Sequence, residues 1–154
     1  MDYNMLVKQC SSLLEGEAHP LPALANTAAL LFENMEALNW AGFYLLESGS
    51  LMLGPFQGKA ACIRIPVGKG VCGTAAALDR AVLVEDVHQF PGHIACDSNS
   101  SAELVLPIHY GGQVIGVLDL DSPVKSRFTE ADRAGLQGIV DLLENKVDWE
   151  RWQL

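Results

Sequence analysis

The sequence has no long apolar run, no excess of basic residues and no closely spaced cysteine pair, and each absence removes a class of function. Its hydrophobic stretches fall far short of the roughly 18 residues that a membrane span needs. The amino terminus, MDYNMLVKQC, has no basic region leading into an apolar one, and no lipidation box is visible. Ten Lys and Arg stand against nineteen Asp and Glu, giving a net charge of −9. Such a surface repels phosphate backbones and anionic lipid, so neither nucleic acid nor membrane is an expected partner. Gly68-Lys69-Gly70 lacks the GxxxxGK[ST] frame of a phosphate loop. There is no internal repeat or low-complexity linker, and 154 residues suit a single domain, 1–154, that buries a core without disulfides or metal. The expected location is cytoplasmic, where thiols stay reduced and serve catalysis, redox chemistry or metal binding more often than stapling.

What the sequence does have is thiols in unusual places. Cys10 lies in a predicted helix away from the others and reads as a small packing residue. Cys62, Cys72 and Cys96 follow at spacings of 10 and 24 residues, in turn-rich stretches. The stretch FPGHIACDSNSSAE, from Phe90 to Glu103, is too rich in Gly, Pro, Ser and Asn for a helix or a central strand. It predicts a long loop with Cys96 and Asp97 in its middle. Loops of more than about a dozen residues in compact domains are usually lids or binding loops, and a thiol there reaches solvent and substrate. These three thiols are expected to work together.

Periodicity supplies the frame. Met1 to Leu14 and Pro20 to Leu38 predict two helices broken at Gly16 and His19-Pro20, the second with an apolar stripe that covers a sheet. Trp40 to Glu47 and Leu51 to Gln57 predict a hairpin, followed by a short strand from Ile63 to Pro66. Val71 to Leu78 is a short helix whose first turn carries Cys72, a position where the helix dipole favours a thiolate. A strand over Ala81 to Asp86 precedes the long loop. The clearest hairpin, Ala102 to Tyr110 with Gln113 to Asp121, turns at Gly111-Gly112. Thr129 to Asp132 caps a last amphipathic helix. Helices, then hairpin-linked strands, then a helix imply an α+β fold with a largely antiparallel sheet of about six strands flanked by N- and C-terminal helices.

At this level of detail the chain resembles a GAF-type domain and, more narrowly, the free methionine-(R)-sulfoxide reductases built on that fold. The resemblance is carried by NWAGFY (39–44), GPFQGKAAC (54–62), GVCG (70–73), HIACD (93–97), SSAELVLP (100–107) and GVLDLDSP (116–123). It implies that Cys96 is the nucleophile that attacks the sulfoxide sulfur, that Cys62 is the resolving thiol, and that Cys72 is an auxiliary or second resolving thiol. It also implies a substrate pocket of Trp40, Tyr44, Glu103, Asp119 and Asp121, an external thioredoxin fed by NADPH as reductant, no bound cofactor or metal, and a homodimer through helical faces.

The chemistry suits these residue types. A thiolate attacks electrophilic sulfur while the departing oxygen is protonated, which leaves a sulfenic acid that a second cysteine condenses to a disulfide for an external dithiol to reduce. A zwitterionic substrate calls for carboxylates around its ammonium and an aromatic wall around its methyl. Trp40 and Tyr44, four apart in a strand, share a face, and crowded carboxylates at Glu103, Asp119 and Asp121 keep at least one of them protonated as an acid. A strict two-residue turn at Gly111-Gly112 would pair Glu103 with Leu120 and point it away from both aspartates. The expected geometry is therefore a three-residue turn with a bulge at Gly112 that pairs Glu103 with Asp119, or a Glu103 lying just before regular pairing. Two other functions compete. Zinc held by Cys62, Cys72, Cys96 and a histidine is disfavoured because the C-x2-4-C pairs of structural zinc are missing. The alternative is a non-enzymatic GAF domain that senses a small molecule.

Overall fold

Alternation along three long strands sorts residues onto two faces of one sheet, and the architecture follows from what each face must bury. The computed structural model describes residues 1–93 and 99–152. Among the described residues the strands are β1 (Trp40–Glu47), β2 (Ser50–Gly58), β3 (Arg64–Pro66), β4 (Val82–Val84), β5 (Ala102–Tyr110) and β6 (Gln113–Ser122). The helices are α1 (Tyr3–Leu14), α2 (Pro20–Asn34), α3 (Gly70–Leu78) and α4 (Glu130–Lys146). The sheet runs β3-β2-β1-β6-β5-β4, and every neighbouring pair is antiparallel. This is the α+β arrangement that the pattern predicts.

One face presents Phe43, Leu45, Leu104, Leu106, Ile108, Leu118 and Leu120 to the apolar stripes of α1, α2 and α4, where Cys10 is also fully buried as a packing residue. Each such side chain contributes about 1.5–3 kcal/mol of transfer free energy, so this layer supplies most of the fold's stability. The other face carries Trp40, Tyr44, Val105 and Val117 and is covered by α3 through Val71, Cys72 and Ala75. That thinner layer holds the polar residues discussed below.

Local chemistry moves several boundaries. α1 begins at Tyr3, not Met1, because the Asp2 carboxylate accepts from the Met5 N–H and takes the cap position. His19 is more than a breaker: its Nδ1 accepts from the Leu21 N–H, capping α2 ahead of Pro20. α2 ends at Asn34 and not at Leu38, since Met35 is extended and Ala37 adopts a left-handed φ of 59° to feed the chain into β1. The strand expected over Ala81 to Asp86 keeps only Val82–Val84, because the Asp86 carboxylate caps a short 3-10 turn at Val87–Gln89. The Thr129/Asp132 capping box of α4 is present.

The β5–β6 turn also differs from expectation. Tyr110 pairs with Gln113, and Gly111 and Gly112 take φ of 61° and 78°, so the turn has two residues and no bulge of its own. The extra residue comes later: His109 pairs with Val114 but Ile108 pairs with Gly116, which leaves Ile115 unmatched. This bulge restores the phase that a two-residue turn would have lost, and Glu103 pairs with Asp121 while Val105 pairs with Asp119. No helix among the described residues is long and apolar enough to cross a membrane.

Candidate functional site

Strand register brings the predicted pocket together. Trp40 lies opposite Asp121 and Gly42 opposite Asp119 across β1 and β6, so Trp40, Tyr44, Glu103, Asp119 and Asp121 share the face under α3. They line one cavity of about 50 Å³ together with Val71, Cys72, His93 and Ser100.

The aromatic wall is fixed at several points. Trp40 stacks on Tyr44 at 5.8 Å between ring centroids and on Phe56 at 5.1 Å. Its indole Nε1 donates to the Lys59 carbonyl at 3.2 Å, and the Tyr44 hydroxyl donates to the Cys62 carbonyl at 3.0 Å. Both bonds land on the β2–β3 loop that carries Cys62, so the wall and that cysteine form one unit. Gly42 makes the stack possible, because a Cβ there would stand 2.3 Å from the Phe56 Cβ and 2.8 Å from the Trp40 ring.

The acidic floor has lost most of its water. Glu103 is 8% exposed and Asp119 is 5% exposed. Burial, then the charges of Asp119 and Asp121, drive the Glu103 carboxyl well above the usual carboxylate range. Burial raises Asp119 too, and its hydrogen bonds to Glu103 and Cys72 oppose the rise. Burial and mutual repulsion thus keep a proton on this pair of carboxyls. The Asp119 Oδ1, although buried, accepts no hydrogen bond among the described residues. A buried orphan oxygen costs about 1–3 kcal/mol unless a ligand satisfies it.

The thiols divide. Cys72 is 4% exposed, and its thiol points at a Glu103 oxygen with a sulfur–oxygen distance of 3.8 Å. Burial, followed by the charges of Asp119, Glu103 and Asp121, pushes this thiol well above its ordinary pKa. The thiolate expected from its place in the first turn of α3 is therefore overturned. A helix terminus offers about 0.3–1 kcal/mol, less than the cost of burying a charge beside two carboxylates. Cys10 and Cys72 are free thiols, whereas Cys62 is disulfide-bonded. Cys96 and Asp97 lie outside the described residues.

The structure also adds residues that sequence reasoning did not assign to the pocket. Asn39 donates through Nδ2 to the Ser100 hydroxyl at 3.0 Å, tying the start of β1 to the segment before β5. His93, Ala60, Ala61 and Ile65 complete the lining. The residue at the N-cap of α3, Lys69, gives no side-chain cap, and Gly70 and Val71 of its first turn face the cavity. Runs of small residues in GKAAC and GKGVCG are the sequence signal for the contacts of Ala60, Ala61, Gly70 and Val71.

Comparison with known proteins agrees with this geometry. The model of the GAF domain matches residues 19–147. The chain is 56% identical over 142 residues to the free methionine-R-sulfoxide reductase of Escherichia coli strain K12, covering 92% of this chain and 86% of that protein. Among solved structures, that of fRMsr of Staphylococcus aureus in complex with substrate superposes with a TM-score of 0.91 at 51% identity and 95% of each chain. The free methionine-R-sulfoxide reductase of Neisseria meningitidis in complex with its substrate gives 0.93 at 42% identity, over 99% of this chain and 92% of that one. With its fold, its paired aromatics and its buried acids in these relatives' company, the chain belongs to the GAF-domain family and, within it, to the free methionine-R-sulfoxide reductases.

Proposed function

We propose that the protein reduces free methionine-(R)-sulfoxide to methionine in the cavity between β1, β6, β5 and α3. The observation that carries this reading is the joint lining of one cavity by a stacked Trp40–Tyr44 wall and by the buried carboxyls of Glu103 and Asp119. An aromatic wall suits the methyl and sulfur. The unsatisfied Asp119 oxygen and the neighbouring Asp121 suit an ammonium group, and the uncapped first turn of α3 suits a carboxylate.

Cys96 attacks the sulfoxide sulfur as a thiolate, while Glu103, held protonated by burial and by its acidic neighbours, gives its proton to the sulfoxide oxygen. The oxygen passes to the enzyme as a sulfenic acid on Cys96, and methionine leaves. Cys62 then condenses with the sulfenic acid, which releases water and forms a disulfide that thioredoxin reduces by exchange. Cys62 fits the resolving part because it is disulfide-bonded while Cys10 and Cys72 are free, and because its backbone is tied to the aromatic wall. The raised thiol of Cys72 suits a neutral hydrogen-bond donor to Glu103 better than a nucleophile.

NADPH consumption coupled through thioredoxin and its reductase tests the proposal, with the free R epimer, the free S epimer and N-acetylated sulfoxide as substrates. Turnover is expected with the free R epimer, and its loss with Cys96→Ser. Equal rates on free and N-acetylated sulfoxide would refute recognition of the whole amino acid. Tight binding of the sulfoxide without any turnover would favour a sensing domain instead.

A further inference from the structure

Cys72, Glu103 and Asp119 also form a set of metal donors. One ligand atom from each lies within 4.8 Å of the other two, and all three side chains are more than nine-tenths buried. Sulfur beside two carboxylate oxygens is a mixture that Zn²⁺ and Cd²⁺ accept, whereas Mg²⁺ and Ca²⁺ favour oxygen alone. Tetrahedral zinc, with bonds of about 2.3 Å to sulfur and about 2.0–2.2 Å to oxygen, holds the two roughly 3.5 Å apart. Cys72 Sγ and its Glu103 oxygen already stand at 3.8 Å. The Asp119 Oδ1 lacks a hydrogen-bond partner among the described residues and belongs to a side chain that lines the cavity. That cavity of about 50 Å³ has room for a cation and a water, since one water needs about 10–15 Å³.

We propose that Cys72, Glu103 and Asp119 bind a thiophilic divalent cation, Zn²⁺ or Cd²⁺, which competes with the sulfoxide for this cavity. The ion replaces both the thiol proton and the proton held on the Glu103 carboxyl, which pass to solvent, and a metal–thiolate and two metal–carboxylate bonds form with no electron transfer. Its three protein ligands leave a fourth position for water. This differs from a zinc site built on three cysteines, because it uses one thiol and needs neither Cys62 nor Cys96. The competition rests on the preceding proposal that the substrate occupies the cavity, whereas binding of the ion does not. The site makes the enzyme sensitive to free zinc through a thiol that the reductive cycle leaves unoxidised.

The test uses the full chain carrying Cys62→Ser and Cys96→Ser, which cannot turn over and keeps Cys72, with Cys10 buried in the helical layer. Titration with Cd²⁺, followed by the ultraviolet thiolate-to-cadmium charge-transfer band, is expected to saturate at one ion per chain. Adding Cys72→Ser is expected to abolish the band. Adding Asp119→Asn is expected to weaken binding by at least about tenfold, because even residues behind a metal ligand are worth about 10–100-fold in affinity. Methionine sulfoxide is expected to displace the ion, with the apparent Kd rising in proportion to sulfoxide concentration. Absence of the band, its persistence after Cys72→Ser, or unchanged affinity in both Asp119→Asn and Glu103→Gln would overturn the site. A band with the expected ligand dependence that saturating sulfoxide leaves untouched would refute the competition and the placing of the substrate, while the ion site stands. Should Cys72→Ser fail to fold, a rise in Tm on adding Cd²⁺ that Asp119→Asn removes reads the same site.

Discussion

Replacing Gly42 by Ala tests how tightly the aromatic wall is built. The new Cβ would lie 2.3 Å from the Phe56 Cβ and 2.8 Å from the Phe56 Cα, about 1.1 Å and 0.6 Å short of the 3.4 Å at which ordinary contact begins. Neither atom can move by a change of rotamer, so the Gly42–Phe56 pair of β1 and β2 must separate or Phe56 must leave Trp40. Overpacking of this kind costs about 1–3 kcal/mol, and losing one stacked pair costs about 0.5–1.5 kcal/mol more. At about 2–4 °C per kcal/mol for a chain of this size, Tm should fall by roughly 3–18 °C. If the wall orients the substrate as proposed, a displacement of about 1 Å in it should lower kcat/KM by about 10–100-fold. Thermal unfolding and sulfoxide turnover measured below the lowered Tm read the two effects separately. A Gly42→Ala protein with unchanged Tm and unchanged kcat/KM would refute the claim that the wall depends on this close approach.

Two further outcomes concern pH. The native state raises Glu103 and Asp119 above their ordinary values, so it binds more protons than the unfolded chain, and their contribution is fully present below the unfolded carboxylate range near pH 4 and lost as pH rises through the raised values. Urea midpoints should therefore fall less from pH about 5 to about 8 in Glu103→Gln/Asp119→Asn than in the unaltered protein; parallel curves would show that the two acids ionise normally. His109 behaves similarly for another reason: burial opposes its charge, but hydrogen bonds to Asp79 at 2.5 Å and Glu144 at 2.8 Å carry its pKa above the ordinary value. Its stabilisation is present below about pH 6.5 and lost as pH rises through the raised value; with a third of the side chain exposed it is worth less than about 1 kcal/mol. His109→Gln should cost more stability at pH about 6 than at pH about 8, and an equal cost at both would sink this assignment.

Much of the fold was legible because helical stripes and strand alternation report burial directly. Leu24, Ala28 and Leu31 announce the covering face of α2, and the Leu118/Leu120 against Asp119/Asp121 alternation announces the two faces of β6. The five residues that the resemblance implies for the pocket, Trp40, Tyr44, Glu103, Asp119 and Asp121, line one cavity, and alternation explains why they share a face. What failed depends on contacts distant in sequence. The position of Cys72 in the first turn of α3 predicts a thiolate, but nothing local says that Glu103 and Asp119 lie opposite. The carbonyls that receive Trp40 and Tyr44 belong to residues almost twenty positions away. The end of α2 was missed because Met35 to Leu38 are apolar enough to extend its stripe while the chain must already turn into β1.

The unmatched Ile115 has a bearing on how this chemistry is encoded. Ile115 packs with the helical layer and is not among the residues lining the cavity, yet it decides which way the strand beyond it faces. Deleting it while keeping the Gly111-Gly112 turn would rotate the remainder of β6 by half a period relative to β5, sending two leucines toward α3 and two aspartates into the leucine-rich interior. On the proposed mechanism, an insertion or deletion at that spot would erase the reaction without altering any proposed reacting group, so the spacing of the hairpin would matter as much as the acids it aims.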